Sequence, residues 1–458
     1  MDKLGEEPYK QGSLRRRLAS FALSLLACGC GSPSTSSDGG VDAAAPDLQP
    51  ALPPTTSAIR RLVVIVQENH TFDNHFGHYC KAAPGSNPQC TDGPACCEAG
   101  PATDPSGAIP RVLDDQSNAA YSPNHEQACE LDEADGGKMD KYTTSTVCGS
   151  PNNFAYSEDA IVAPYWQLAQ GGALADRWFQ PMAGQSSAND MYLARADFVF
   201  LDNAFIPDSV GQQCSIANVP ARSYMDRTVG DLLADRGVPW AWYAEGYQAM
   251  LDAQKAGRCP DAAPGCAIGL GIYPCIYDAS DVPFEYYPRF TDNPDYMKDE
   301  AALEAAIAGP GCALPSVSFV KGLGFHTEHP AAGVRLSDGV NWASRLVARL
   351  LASPCADDTL VLLTYDEGGG YFDHVAPPPA SVIDQQPYGT RVPTIAIGRF
   401  ARKNEVSHVP LEHSSVVKFI EWNWLDGDTG QLDTRDTTAN NLGSLLDPAA
   451  TGMAVPPQ

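Results

Sequence analysis

The sequence predicts an α/β fold: a doubly wound, mainly parallel sheet flanked by helices, with Cys-, Pro- and Gly-rich insertions between its elements. Three observations predict it. Residues 62–66 (LVVIV) and 359–364 (TLVLLT) are apolar runs of strand length, as expected of strands buried on both faces. Segments with helical start and stop signals alternate with such runs. The chain has 458 residues, 43% of them apolar, enough for one large α/β domain.

Taken in order, residues 1–30 read as an export segment. Arg15-Arg16-Arg17 precedes a ten-residue apolar run that is too short to span a bilayer as a stable anchor. Leu25-Leu26-Ala27-Cys28 resembles a bacterial lipobox, in which the cysteine is lipidated, and Cys30 is a second candidate. Residues 31–58, rich in Gly, Ser, Pro, Ala and Asp, lack the apolar content to fold and read as a flexible linker. The expected main domain covers 59–448, followed by a tail over 449–458. This organisation predicts export to the periplasm or cell surface as a lipoprotein, with a lipid anchor as its membrane attachment and secretion as the alternative.

Within the domain, residues 81–117 form an insertion rich in Pro, Gly and Cys. Residues 157–170 carry a serine start, early acidic residues and apolar spacing suited to a helix, and Gly171-Gly172 stops it. Helices are expected over 226–236, 300–308, 339–351 and 413–424, and strands over 240–243, 316–320 and 392–397. Cys80, Cys90, Cys96, Cys97, Cys129, Cys148, Cys214, Cys259, Cys266, Cys275, Cys312 and Cys355 remain after the export segment. An even number in an exported chain predicts up to six disulfides, with the pairing open. A metal site at Cys90, Cys96 and Cys97 is the weaker alternative, because no histidine is interleaved.

Charge narrows the function. Fifty-six acidic side chains against 30 basic ones give a net charge of −26. A nucleic-acid partner would need a basic footprint, so none is expected. An acidic protein that handles an anionic substrate needs local cations, which directs attention to metal ligands. Both buried runs end in such groups: Gln67-Glu68-Asn69-His70 after the first, and Asp366-Glu367-Gly368-Gly369-Gly370 after the second. In an open α/β sheet, ligands gather at the carboxyl ends of the strands. Adjacent carboxylates there repel unless a cation or proton separates them. Carboxylate and amide oxygens are the hard ligands of a divalent cation.

These residues also sit in motifs. QENHTFDNHFG at 67–77 resembles the opening motif of the bacterial phosphoesterase family that contains non-haemolytic phospholipases C and acid phosphatases. TYDEGGGYFDHVAPP at 364–378, Glu328-His329-Pro330, YGTRVPTIAIG at 388–398 and EHSSVVKFIEW at 412–422 resemble its later motifs, in order, from residue 59 to 424. The resemblance implies an alkaline-phosphatase-like fold and a divalent metal ion (calcium, magnesium, manganese or iron) on Glu68, Asn69, Asp366 and Glu367. It also implies a nucleophilic hydroxyl within Gly184-Gln185-Ser186-Ser187-Ala188-Asn189 that is itself a metal ligand. Ser186 is the matching position and Ser187 the neighbour. This turn lacks the two prolines of the family pattern, and Asp190 stands where a basic residue or histidine is usual. His125 and His329 match the family's site histidines. His374 and His413 fall within motifs and suit supporting roles. His70, His75, His78 and His408 suit structural or surface roles, and His326 stands near His329 without a motif role.

The resulting expectation is a metal-dependent phosphoric-ester hydrolase that forms a phosphoserine on Ser186. The short stretch after the last motif favours a phosphomonoester substrate, with a phospholipid as the alternative. A surface lipoprotein that binds without catalysis is the remaining reading.

Overall fold

Strand β1 (Arg61–Gln67) is fully buried along its length, as its β-branched run requires of a strand covered on both faces. The computed structural model describes residues 52–215, 219–266 and 272–457. The export segment and residues 31–51 of the linker lie outside the described residues. The later strands are β2 (Arg111–Leu113), β3 (Ala155–Ser157), β4 (Ala173–Ala175), β5 (Trp240–Ala244), β6 (Met297–Asp299), β7 (Val317–Lys321), β8 (Thr359–Tyr365), β9 (Thr394–Ile397) and β10 (Glu405–Ser407).

Eight of them form one sheet in the order β10-β4-β9-β8-β1-β7-β5-β6, while β2 and β3 pair separately. β1 runs parallel to both neighbours, with Val66 opposite Lys321 of β7 and Gln67 opposite Tyr365 of β8. β9 alone is antiparallel to both of its partners. The sheet is therefore mainly parallel, as the alternation of helices and strands predicts. The helices Glu300–Ala308 and His413–Trp424 have the expected bounds, and the amphipathic helix Leu336–Ala352 starts three residues earlier than expected.

Some elements depart from the expectation. Ser157 does not start a helix: it ends β3, and the helix is Asp159–Gly171. Strands β2, β3, β4, β6 and β10 have only three residues each, too few to show a period-2 pattern. They form because a neighbouring backbone offers a ladder, which is tertiary information. At the two ends, Thr56 N–H donates to Asn423 O at 2.8 Å and Ala58 N–H to Thr451 O at 3.1 Å. The packed body thus reaches past 59 and past 448.

All twelve cysteines among the described residues pair, as Cys80–Cys97, Cys90–Cys96, Cys129–Cys148, Cys214–Cys259, Cys266–Cys275 and Cys312–Cys355. The metal-site alternative at Cys90, Cys96 and Cys97 is set aside, because all three thiols are consumed. Six disulfides persist only in an oxidising compartment, which fits export. Among the described residues no helix is long and apolar enough to cross a membrane.

Cys312–Cys355 closes a separation of 43 residues across the lower end of β7 and β8. Loop-closure entropy for that length is about 4 kcal/mol. Replacing both cysteines by serine is expected to lower the unfolding free energy by about 3–4 kcal/mol, measured by chemical denaturation. An unchanged midpoint would show that this link adds nothing.

Candidate active site

The parallel register of β7, β1 and β8 brings Lys321, Glu68-Asn69 and Asp366-Glu367 to one edge of the sheet. The chain turns sharply there. Asn69 adopts φ +62°, a left-handed conformation that Asn tolerates better than most residues. Its N–H donates to Asp366 Oδ1 at 3.1 Å, and the Glu367 N–H donates to the same oxygen at 2.7 Å. Its side-chain amide donates to Glu367 Oε1. Gly369 has φ +69°, and a Cβ there would stand 2.2 Å from the Asn69 carbonyl oxygen. That glycine is needed so that one motif can lie against the other.

Ser186 is the first residue of the helix Ser186–Arg195. Its Oγ stands 3.4 Å from Asn69 Oδ1 and 3.4 Å from Glu367 Oε1. It lines a pocket of about 130 Å³ with Glu68, Tyr273, Asp281 and His329. Ser187 is fully buried and does not line that pocket, and its N–H donates to Asn203 Oδ1 at 2.9 Å. The two missing prolines leave the turn intact, because Asn189 anchors it: its Nδ2 donates to Gly184 O at 2.7 Å and its Oδ1 accepts from Met182 N at 3.1 Å.

His125 and His329 face the same space, with ring centroids 6.5 Å apart. His125 Nδ1 lies 3.0 Å from Pro123 O and His329 Nδ1 lies 2.7 Å from Pro330 O. A carbonyl only accepts, so each Nδ1 carries the proton and each neutral ring has a bare Nε2. Burial holds both imidazoles below their usual range, favouring that neutral form. His125 Nε2 lies 3.7 Å from Glu367 Oε1.

The carboxylates are strongly perturbed. Burial pushes Glu367 up to about 8, aided by the Glu68 charge, and pushes Asp366 well above the ordinary range. Glu68 is the exception: burial would raise it, but the Lys321 ammonium holds it low. Lys321 is a site residue that the sequence reading missed. Its Nζ lies 3.1 Å from Glu68 Oε1 and 2.9 Å from Asp190 Oδ2. The Asp190 carboxylate, standing where a basic group is usual, thus meets a cation delivered from β7. A single lysine ending the apolar run 317–320 was the available signal.

The expected metal ligands are all of the required chemistry, and Asp366 Oδ2 is buried without a hydrogen-bond partner. Asn69 Oδ1, Glu367 Oε1 and Ser186 Oγ converge, while Glu68 is held toward Lys321, its Oε1 3.1 Å from the ammonium and its Oε2 accepting from Tyr273 Oη at 3.0 Å. The tighter groups of potential ligands among the described residues are His70–His75–Glu328 and Asp73–Asp373–His374. Internal bonds account for both. Glu328 accepts from His75 at 3.0 Å, Tyr365 at 2.7 Å and Gln67 at 2.9 Å, which fixes the loop that presents His329. Arg391, fully buried, reaches Asp73 at 2.9 Å and Asp373 at 2.8 Å, while His374 Nδ1 lies 2.8 Å from Asp73.

The remaining histidines have partners away from the pocket. His413 accepts at Nδ1 from Trp178 and so donates from Nε2 to Asp366 O at 2.8 Å, holding that backbone in place. His70 lies between Glu68 O and Asn118, His78 pairs with Asp159, His326 with Glu245 and His408 with Asp176.

The Phosphoesterase family model matches residues 59–425. The chain belongs to the phosphoesterase family. It is thereby a hydrolase acting on phosphoester bonds. Curated relatives include non-specific phospholipase C3 of Arabidopsis thaliana, 22% identical over 79% of this chain and 69% of that protein. Haemolytic phospholipase C of Pseudomonas aeruginosa is 24% identical over 86% of this chain, which spans 56% of that relative. Phospholipase C B of Mycobacterium tuberculosis is 25% identical over 86% of this chain and 78% of its own length. A solved structure of a protein in the alkaline phosphatase superfamily from Vibrio parahaemolyticus overlaps with a TM-score of 0.36 and 12% identity, over 88% of this chain and 76% of its own.

The network behind the site has a pH signature. Burial alone would lower the His374 imidazole, but the Asp73 charge and hydrogen bonds to Asp73 and Glu98 raise it to about 9. A histidine raised in the folded state stabilises fully below its unfolded pKa of about 6.5. That contribution is lost as pH rises through about 9. It amounts to roughly 3 kcal/mol. Wild type should therefore lose stability between pH 6.5 and 9.5 in denaturant titrations, and His374→Gln should lose markedly less over the same interval.

Proposed function

We propose that the chain hydrolyses phosphoric esters by covalent catalysis through Ser186, with one divalent cation held by Glu68, Asn69, Asp366, Glu367 and the Ser186 hydroxyl. The observation that carries this reading is the approach of Ser186 Oγ to both Asn69 Oδ1 and Glu367 Oε1 at a helix N-terminus, inside the pocket that His329 lines. A cation at those oxygens lowers the pKa of the hydroxyl and offsets phosphoryl charge. Helix N–H groups add donors for the phosphoryl oxygens.

The proton inventory closes on the chain's own residues. Ser186 Oγ attacks phosphorus and its proton passes to the bare Nε2 of His125 or His329. The bond from phosphorus to the ester oxygen breaks as the phosphoserine forms, and the charged imidazole passes that proton to the leaving alkoxide. Water then attacks phosphorus, giving a proton to the same Nε2. The Ser186–phosphorus bond breaks and the imidazole returns the proton to Oγ. Glu367 stays ionised as a ligand throughout.

Two substrate readings have separate support. The pocket of about 130 Å³ holds about four water volumes, room for a phosphoryl group and little more, which suits a small phosphomonoester. Its charge favours a diester. Glu68, Asp190, Asp281 and Asp366 surround a single ammonium, that of Lys321, and Glu367 follows Asp366 in the chain. A monoester approaches a double negative charge near neutral pH, whereas a diester carries one. The phospholipases C among the relatives add to this second argument. We favour the diester, with phospholipids as the leading class and the leaving alcohol outside the pocket. A lipid on Cys28 or Cys30 would hold the enzyme at a membrane, which metabolic labelling with palmitate tests.

Ser186→Ala is expected to lower turnover of a nitrophenyl phosphodiester about a thousandfold or more, and Ser187→Ala to leave it within about threefold of wild type. Equal activity in the Ser186 variant would end the covalent mechanism. Chelation should abolish turnover and one divalent cation should restore it. A higher kcat/KM for nitrophenyl phosphate than for phosphatidylcholine would return the assignment to a monoesterase.

A further inference from the structure

Lys321 is an anomaly of placement. It closes a buried parallel strand, and its side chain is 3% exposed. Four carboxylates from four separate segments surround its Nζ: Asp190 at 2.9 Å, Glu68 at 3.1 Å, Asp366 at 3.7 Å and Asp281 at 3.9 Å. An ammonium has three donors and no acceptor, so it cannot satisfy eight carboxylate oxygens. The surplus is visible, since Asp190 Oδ1 and Asp366 Oδ2 are buried without a hydrogen-bond partner. Four converging oxygen ligands with unpartnered atoms are a donor set for a divalent cation. An ammonium occupies its centre.

Two of the four carboxylates, Glu68 and Asp366, also belong to the metal cradle. They are shared between the ammonium and the cradle, and what stands on the Lys321 side fixes how they face the other. Tyr273 Oη completes the hold on Glu68 by donating to its second oxygen at 3.0 Å. The shared carboxylates leave Lys321 no role as an isolated structural ion pair with Asp190.

We propose that Lys321 is the resident second cation of this site: it fills the position among Glu68, Asp190, Asp281 and Asp366 that a second divalent ion would take, and thereby positions Glu68 and Asp366 for a single metal. Lys321 is a positioning residue in this role and does not touch the reacting atoms. Asp190, one helical turn after Ser186, is its anchor and makes the shortest of the four contacts. The inference rests on the metal cradle of the proposed function.

Metal binding without turnover tests it. Chelator-treated full-length protein is titrated with Mn²⁺, and the electron paramagnetic resonance signal of free Mn²⁺ counts the bound ions. Wild type is expected to bind one Mn²⁺ per chain, Lys321→Arg one, and Lys321→Met two, because the four carboxylates then lack their ammonium. One Mn²⁺ at wild-type affinity in the Lys321→Met protein would overturn the inference while leaving the cradle standing. No binding by wild type would overturn both. If Lys321→Met does not fold, Asp190→Asn decides. With its anchor gone the ammonium leans on Glu68 and Asp366, so Mn²⁺ affinity should fall about tenfold at unchanged stoichiometry. Asp278→Asn, which removes a nearby charge that does not contact Lys321, should change it less than threefold. Equal effects of the two asparagine variants would overturn the proposal.

Discussion

The site depends on one register: β1 lies between β7 and β8 with Val66 opposite Lys321 and Gln67 opposite Tyr365. Each strand ends within a residue of that line: β1 and β8 continue into Glu68-Asn69 and Asp366-Glu367, and β7 ends in Lys321 itself. Side chains alternate faces along a strand, so a slip of one residue would turn Lys321 away from Glu68 and break the shared cage. The register is in turn held by apolar burial along all three strands, whose residues are buried throughout. The chemistry of the edge is therefore paid for in the core.

Electrostatics then becomes the dominant constraint. Several carboxylates are taken out of water at that edge, a cost that only cations or protons offset. The protein uses different devices at different depths. Behind the turns, Arg391 and His374 neutralise Asp73 and Asp373 and tie the first motif to the second. Beside the pocket, Lys321 neutralises part of the Glu68–Asp190–Asp281–Asp366 group. Beside Ser186, Glu367 and the unpartnered oxygen of Asp366 are left in deficit, which is where the proposed metal would be held.

Much of this was legible in the chain. The two apolar runs and their polar ends identify the central strands and one wall each of the site, because a strand's burial and its terminus are both local features. Glu300–Ala308 and His413–Trp424 were readable because periodicity and end signals agree over a long enough stretch. The three-residue strands were not, since their only stabilisation is the neighbouring ladder. The role of the glycines after Glu367 needed the fold, because the close neighbour of Gly369 is the carbonyl of Asn69, 300 residues earlier (369 − 69).

By itself the sequence determined the strand-and-turn motifs, the pool of oxygen ligands, the candidate hydroxyl and the even cysteine set, each a property of neighbouring residues. The fold alone decided which cysteines pair, that Ser186 and not Ser187 lines the pocket, and that an aspartate at 190 is matched by a lysine at 321. Those are distances between segments 131 residues apart in the last case. A charge whose partner is that remote reads in sequence as a defect, and only packing shows it to be half of a pair.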